Sequence, residues 1–267
     1  MARADLTTRE FLEQYAVFTT AEFRAALAAD VPSSTVLNRL HQALKRGYTE
    51  RIRQGVYASR VGTFARSVPD PLIVASRLAT DYVIAYHTAL EAHGIAHAPF
   101  RRVTIVSTRT PFSLEYRGYE FVARRPRKSL LANDAWKTLV VPLRRGDELV
   151  NVTSRERTLV DCLANLKWAG GIEEVLRSVG SFPSLNVENL IAYVDLLNSP
   201  SIAAKVGWVL SADPQLWRLT TEDLDALRSL LGKGPYFLDT RAQPLLLVND
   251  WSLYIPAGLD PVEELRR

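Results

Sequence analysis

Apolar residues in the first sixty positions fall into three helix-spaced groups followed by an alternating stretch. Phe11, Leu12 and Tyr15 follow Thr7-Thr-Arg-Glu10, whose spacing is that of a capping box: the hydroxyl accepts from an orphan amide and the glutamate reaches back. A first short helix is predicted there. The pattern recurs at Thr19-Thr-Ala-Glu22, where Phe18 before the cap and Phe23 inside the helix make the pair of a hydrophobic staple; it predicts a second short helix ending near Asp30. Val31-Pro32 breaks that helix, because proline lacks an amide and disfavours helical geometry in the residue before it. Ser33 or Ser34 can then cap a third helix running to about Arg46, and Gly47 stops it. Tyr48 to Arg53 alternates like a half-exposed strand, Gln54-Gly55 offers a turn, and Val56-Tyr57 begins a return strand. Three helices and a small hairpin within residues 1–60 are the ground plan of a winged helix-turn-helix.

Residues 61–71, with Gly62, Pro69 and Pro71 among few bulky apolar positions, read as a linker to a larger unit over 72–267. In that unit, helices are expected over Leu72 to Ala79 and His87 to His93, and strands at Arg102 to Ser107, Leu114 to Val122 and Thr138 to Leu143. Helices dominate from Arg155 onward. Clustered strands and then helices predict α+β rather than an alternating parallel sheet. No internal repeat or low-complexity tract interrupts the chain.

The composition adds contrast between these regions. Across 267 residues the formal net charge is only +4. Residues 1–60 carry 9 Lys/Arg against 6 Asp/Glu, residues 61–145 carry 13 against 6, and residues 146–267 carry 11 against 17, giving net charges of +3, +7 and −6. A basic front and middle suit a polyanion, and the acidic tail suits a different partner. The lone Cys162 lies in an apolar run and cannot make an intramolecular disulfide, which fits a buried thiol in a reducing cytoplasm. The amino-terminal stretch has no apolar signal core, and no stretch approaches the roughly 18 apolar residues of a membrane span. A cytoplasmic protein with no membrane partner is expected.

In the third helix Val36, Leu40, Ala43 and Leu44 form one stripe, which leaves Ser34, Thr35, Asn38, Arg39, Gln42 and Lys45 facing outward. That outward set has the chemistry of base recognition. Arginine forks onto guanine, asparagine and glutamine pair with adenine, and serine or threonine takes either role. Ser34, Thr35, Asn38, Arg39 and Gln42 are therefore candidate base readers. Lys45, Arg46, Arg51 and Arg53 are candidate phosphate contacts, the last two expected to share a strand face across Ile52. Double-stranded DNA is the implied partner, its operator an inverted repeat read by a dimer or by two cooperating monomers. Farther along, Arg101, Arg102, Arg124, Arg125, Arg127 and Lys128 can extend a DNA footprint, or touch a protein or RNA partner.

An enzyme needs a constellation that the sequence lacks. His87 and Glu91 lie four apart with His93 and His97 nearby, but there is no His-Glu-x-x-His, no cysteine pair and no Walker-type glycine loop. The stretch from Glu115 to Glu120 lacks the Glu-x-Lys of a metal-dependent nuclease. No catalytic residue, metal site or cofactor is expected. Within the larger unit, Ser154 can cap a helix that buries Leu159, Val160 and Leu163 and pairs Arg157 with Asp161, and Gly170-Gly171 reads as a turn before a helix over Ile172 to Val179.

The segment Thr35-Val-Leu-Asn-Arg-Leu-His-Gln-Ala-Leu-Lys-Arg-Gly-Tyr-Thr-Glu-Arg-Ile-Arg-Gln-Gly-Val-Tyr57 resembles the N-terminal domain of the AbiEi antitoxin family. Tyr86-His-Thr-Ala-Leu-Glu-Ala-His-Gly94, the run Val152 to Leu163, Gly170-Gly171 and Glu173-Glu174-Val175 resemble segments of that family's C-terminal domain. The resemblance implies the antitoxin of a type IV abortive-infection operon, which represses its own promoter through the winged helix. Its C-terminal domain would counter a nucleotidyltransferase-like toxin. The competing expectation is a free-standing winged-helix regulator whose C-terminal domain senses a ligand or dimerises.

Overall fold

A computed structural model describes residues 6–27, 31–239 and 244–267. The chain opens with α1 (Thr8–Gln14), β1 (Val17–Thr19), α2 (Thr20–Ala26) and α3 (Ser33–Lys45), and then the strands β2 (Thr49–Arg53) and β3 (Val56–Ser59). Both expected capping boxes are formed, Thr7 with Glu10 and Thr19 with Glu22. Between the two caps lies an aromatic core in which Phe11 meets Phe18 edge-on at 5.0 Å and Phe18 stacks on Tyr57 at 5.7 Å. Val36, Leu40 and Ala43 of α3 complete this core from one side. The three strands form an antiparallel sheet in the order β1-β3-β2.

Some local expectations are corrected. The second helix closes at Ala26, with Leu27 already extended at ψ 165°; the end expected near Asp30 lies outside the described residues. The third helix has no serine cap. Pro32 occupies the cap position without a side-chain hydrogen bond, and Ser33 and Ser34 are already helical. β1 has only three residues, too few to show a period in the sequence.

The larger unit begins with α4 (Pro71–Leu78), whose first turn is set by Pro71 and by the Asp70 carboxylate accepting from the Leu72 amide at 2.7 Å. It continues with β4 (Val83–Ile84), α5 (His87–Ala92), β5 (Arg102–Val106), β6 (Phe112–Tyr116), β7 (Tyr119–Arg124), α6 (Lys128–Ala132), β8 (Val140–Arg145) and β9 (Glu148–Thr153). These strands make a mixed six-stranded sheet in the order β6-β7-β5-β4-β9-β8. The single strand expected over Leu114 to Val122 is a hairpin, because Arg117 and Gly118 both take positive φ, 51° and 78°. Two such residues make the tight turn whose twist matches its flanking strands. Likewise the expected strand at Thr138 to Leu143 begins two residues later and returns as β9 around Gly146.

Next come the helices α7 (Arg155–Ala164), α8 (Ile172–Gly180), α9 (Val187–Leu197), α10 (Pro200–Ala212) and α11 (Thr221–Ser229). A small sheet of β10 (Tyr236–Phe237), β11 (Leu245–Val248) and β12 (Leu253–Pro256), in the order β10-β12-β11, and α12 (Pro261–Arg266) end the chain. This late sheet, which had no counterpart among the expected strands, lies within the region where helices were expected to dominate. The architecture is α+β.

The core of this unit holds the ion pair of Arg157 and Asp161. Arg157, 1% exposed, donates from Nε to Asp161 at 3.2 Å and from Nη1 to the carbonyls of Trp136 and Thr138 at 2.8 and 2.7 Å, while the Tyr193 hydroxyl donates to the second Asp161 oxygen at 2.9 Å. Every charge in the group has a partner, as burial demands. Ser154 caps α7 as expected, and Cys162 is buried.

The N-terminal elements β1, β3 and α2 pack against the larger unit. Val17 and Val56 bury themselves in the same cluster as Leu72, Val74 and Ala75 of α4. Arg77 reaches Glu22 at 2.9 Å, and Pro69, in the stretch expected to be a linker, is buried. No helix among the described residues is long and apolar enough to cross a membrane.

Candidate nucleic-acid interface

Helix α3 buries the face that its apolar spacing selects and leaves the other open. Ser34, Asn38, Gln42, Lys45 and Arg46 are exposed, and Thr35 and Arg39 are half-exposed. Among the described residues none of these seven side chains makes a side-chain hydrogen bond or an ion pair. The buried stripe is Val36, Leu40 and Ala43, with Leu44 at its margin and Leu37 left 57% exposed beside the polar face.

Thr35, Asn38, Arg39, Gln42 and Arg46 also line one groove of about 580 Å³ between α1 and α3, joined by Thr8, Arg9, Leu12 and Tyr48. The contribution of α1 was not expected, since the approach of two helices separated along the chain has no local signature in the sequence. Arg9 is held at 2.9 Å by Glu13 one turn on, which leaves Arg39 and Arg46 as the groove's unpaired cations among the described residues.

The hairpin departs from expectation. Arg51 is exposed, its guanidinium 5.9 Å from the centre of the Tyr57 ring. Arg53 does not join it on a free face. The pairing of β2 with β3 shifts between Arg51 and Arg53, so that Arg51 faces Tyr57 and Arg53 faces Val56. Such a bulge cancels the two-residue alternation on which a shared face depends. Arg53 turns toward the larger unit, where its guanidinium donates to the Leu78 carbonyl at 3.2 Å and stacks 4.6 Å from the Phe112 ring. It is a tether between the two parts of the chain and is withdrawn as a phosphate contact.

The basic stretch after β7 is also divided. Arg124 stacks on Trp168 at 4.6 Å, and Arg127 donates to the Ala164 carbonyl at 3.1 Å, so both are spent on packing. Arg125 and Lys128 remain exposed. Arg102 pairs with Glu120 at 2.8 Å, whereas Arg101 is exposed over Tyr119, 5.7 Å from the ring centre. A continuous basic face over 124–128 is therefore not formed.

Two histidines of the larger unit are packed into it. His87, 2% exposed, lies flat on Phe100 with ring centroids 3.7 Å apart and meets Glu174 at 3.0 Å. Glu174 accepts in addition from the amides of His97 and Ala98 and from the Ser178 hydroxyl. His93 bonds the Thr153 carbonyl at 2.8 Å, and burial holds its pKa below the usual imidazole value. Burial also raises the Glu91 carboxyl, although the Phe100 amide donates to it at 2.7 Å. Among the described residues no group of three His, Cys, Asp or Glu side chains is placed to hold a metal ion.

No family model and no curated protein matches the chain. Among solved structures it is similar to the crystal structure of the RV2827C protein from Mycobacterium tuberculosis, with a TM-score of 0.58 and 15% identity over 96% of this chain and 90% of that one. At that identity the likeness is one of fold. It extends over nearly the whole length of both proteins.

Proposed function

We propose that this chain is a DNA-binding repressor whose residues 1–60 form a winged helix-turn-helix, and that it is the antitoxin of the operon it represses. The observation that carries the DNA half is the state of α3. Its open face of Ser34, Thr35, Asn38, Arg39, Gln42, Lys45 and Arg46 carries cations and amides without a carboxylate, lines a groove shared with α1, and has every one of these side chains unpaired among the described residues. Base edges offer partners to Ser34, Thr35, Asn38, Arg39 and Gln42, each good bidentate pair giving about 1–3 kcal/mol of discrimination. The helix order and the sheet order β1-β3-β2 support the same reading, with α3 entering the major groove and Lys45, Arg46 and Arg51 meeting phosphates.

The antitoxin half rests on the resemblance of the segments Thr35–Tyr57, Tyr86–Gly94 and Val152–Leu163 to AbiEi antitoxins. It makes a nucleotidyltransferase-like toxin the second partner and the larger unit the part that counters it. The test is co-expression of the full chain with the toxin encoded beside it, with a reporter fused to the shared promoter. Growth is restored and the reporter falls silent if the reading is right. Continued growth arrest in the presence of soluble protein rejects the antitoxin role, and an unrepressed promoter rejects the repressor role.

A further inference from the structure

Resting on the proposed DNA binding, we propose that the tip of the β6–β7 hairpin and Arg101, which precedes β5 and lies beside that tip, belong to the same interface, with Arg101 meeting a backbone phosphate on the flank of the base pairs that α3 reads. The ribbon β2–β3 cannot supply that flank through Arg53, which is turned inward onto Phe112 and Leu78. The hairpin is instead tied to β2, the strand that follows α3, through Glu50.

An unbroken series of contacts leads to it. Arg46 and Tyr48 line the α3 groove together, the Tyr48 carbonyl accepts from the Arg60 amide at 2.8 Å, and Arg60 reaches Glu50 at 3.7 Å. Glu50 in turn accepts from Arg117 Nε at 3.0 Å and from the Tyr116 hydroxyl, at the tip of the hairpin. Across that tip, a Cβ on Gly118 would lie 3.3 Å from Arg101 Nη1. The cations of this series are Arg46, Arg60, Arg117 and Arg101. Glu50 serves both Arg60 and Arg117, and around Arg101 the same recess holds Arg102, Glu115 and Glu120, Glu120 being taken by Arg102; five cations thus face three carboxylates.

Arg101 is exposed and, among the described residues, has no carboxylate partner. Its guanidinium lies over the Tyr119 ring, 5.7 Å away. A phosphate diester is the partner such a track fits, because its charges repeat along a line and bind cations without regard to sequence. The contacts of Glu50 with Tyr116 and Arg117 tie the hairpin to β2.

The test uses the full chain and a duplex of roughly three helical turns that it selects from a random-sequence library. Dissociation constants are measured between about 50 and 200 mM salt, together with a hydroxyl-radical footprint. Arg101→Ala is expected to lower the salt slope by about one and to shorten protection on one flank, leaving the selected sequence unchanged, with Arg101→Lys restoring both. If Arg46→Ala lowers the slope but Arg101→Ala alters neither slope nor footprint, Arg101 and the flank it marks are not part of the interface. If the parent chain enriches no sequence at all, the DNA reading itself fails and this inference with it.

Discussion

Arg39 and Asp161 mark the two fates of a charged side chain in this molecule. Arg39 stands at the edge of the α3 stripe, half-exposed and unpaired, so its removal leaves no buried group stranded. Arg39→Ala is expected to leave thermal stability unchanged while flattening base preference at one position by about 1–3 kcal/mol, read from binding to a panel of single-base variants of the selected duplex. Equal losses on every variant would assign Arg39 to the backbone. Asp161 is the opposite case: it is the counter-ion of Arg157, which is 1% exposed. Asp161→Ala strands that guanidinium and is expected to lower stability by about 3–5 kcal/mol in urea denaturation; a loss under about 1 kcal/mol would mean that the carbonyls of Trp136 and Thr138 suffice. The outward set of α3 and the Arg157–Asp161 pair were both legible in the sequence, since helical spacing alone decides them. Arg53 was not, because its direction depends on a bulge and on Phe112, far away in the chain.

At the scale of elements, legibility followed the reach of the forces that end each one. The capping boxes of α1 and α2 act over three residues and were readable, and Thr19→Ala is expected to cost about 0.5–2 kcal/mol in the same denaturation experiment through loss of the bond from the Glu22 amide. The smallest strands were not readable. β1 is three residues long, and β11 places Leu246 and Leu247 both outward, so no alternation announces it. Close packing between elements is equally silent in sequence. Gly207 in α10 lies so near the buried ring of Trp251 that an added Cβ would fall 2.1 Å from a ring carbon. Gly207→Ala gains helix propensity of about 1 kcal/mol but must displace that ring, and overpacking of this kind costs about 1–3 kcal/mol or more. The variant is therefore expected to melt below the parent; a higher melting temperature would show that Trp251 has room to move.

For the whole molecule, the question is how the first sixty residues are held against the rest, since only a fixed relation lets the two parts present one surface. Arg53, Glu22 with Arg77, and Glu50 with Tyr116 and Arg117 form that junction around the shared apolar contacts of Val17 and Val56. Glu50 makes the junction sensitive to acid. Partial burial pushes its pKa up, but the hydrogen bonds from Arg117 and Tyr116 and the charges of Arg117 and Arg60 outweigh burial and hold the carboxyl below its ordinary value of 4.5. In the unfolded chain the group binds a proton more readily than in the folded one, so protonation favours unfolding. The stabilisation from Glu50 is thus complete above pH 4.5 and is lost as the pH falls through the lower, folded value. Melting temperatures of the parent and of Glu50→Gln, measured from neutral pH down to about pH 3, isolate this contribution from other carboxylates. The parent is expected to melt higher at neutral pH and to converge on the variant as the solution is acidified. A gap between the two that stays constant with pH would show that the Glu50 charge contributes nothing to the junction, and that apolar packing against α4 alone holds the two parts together.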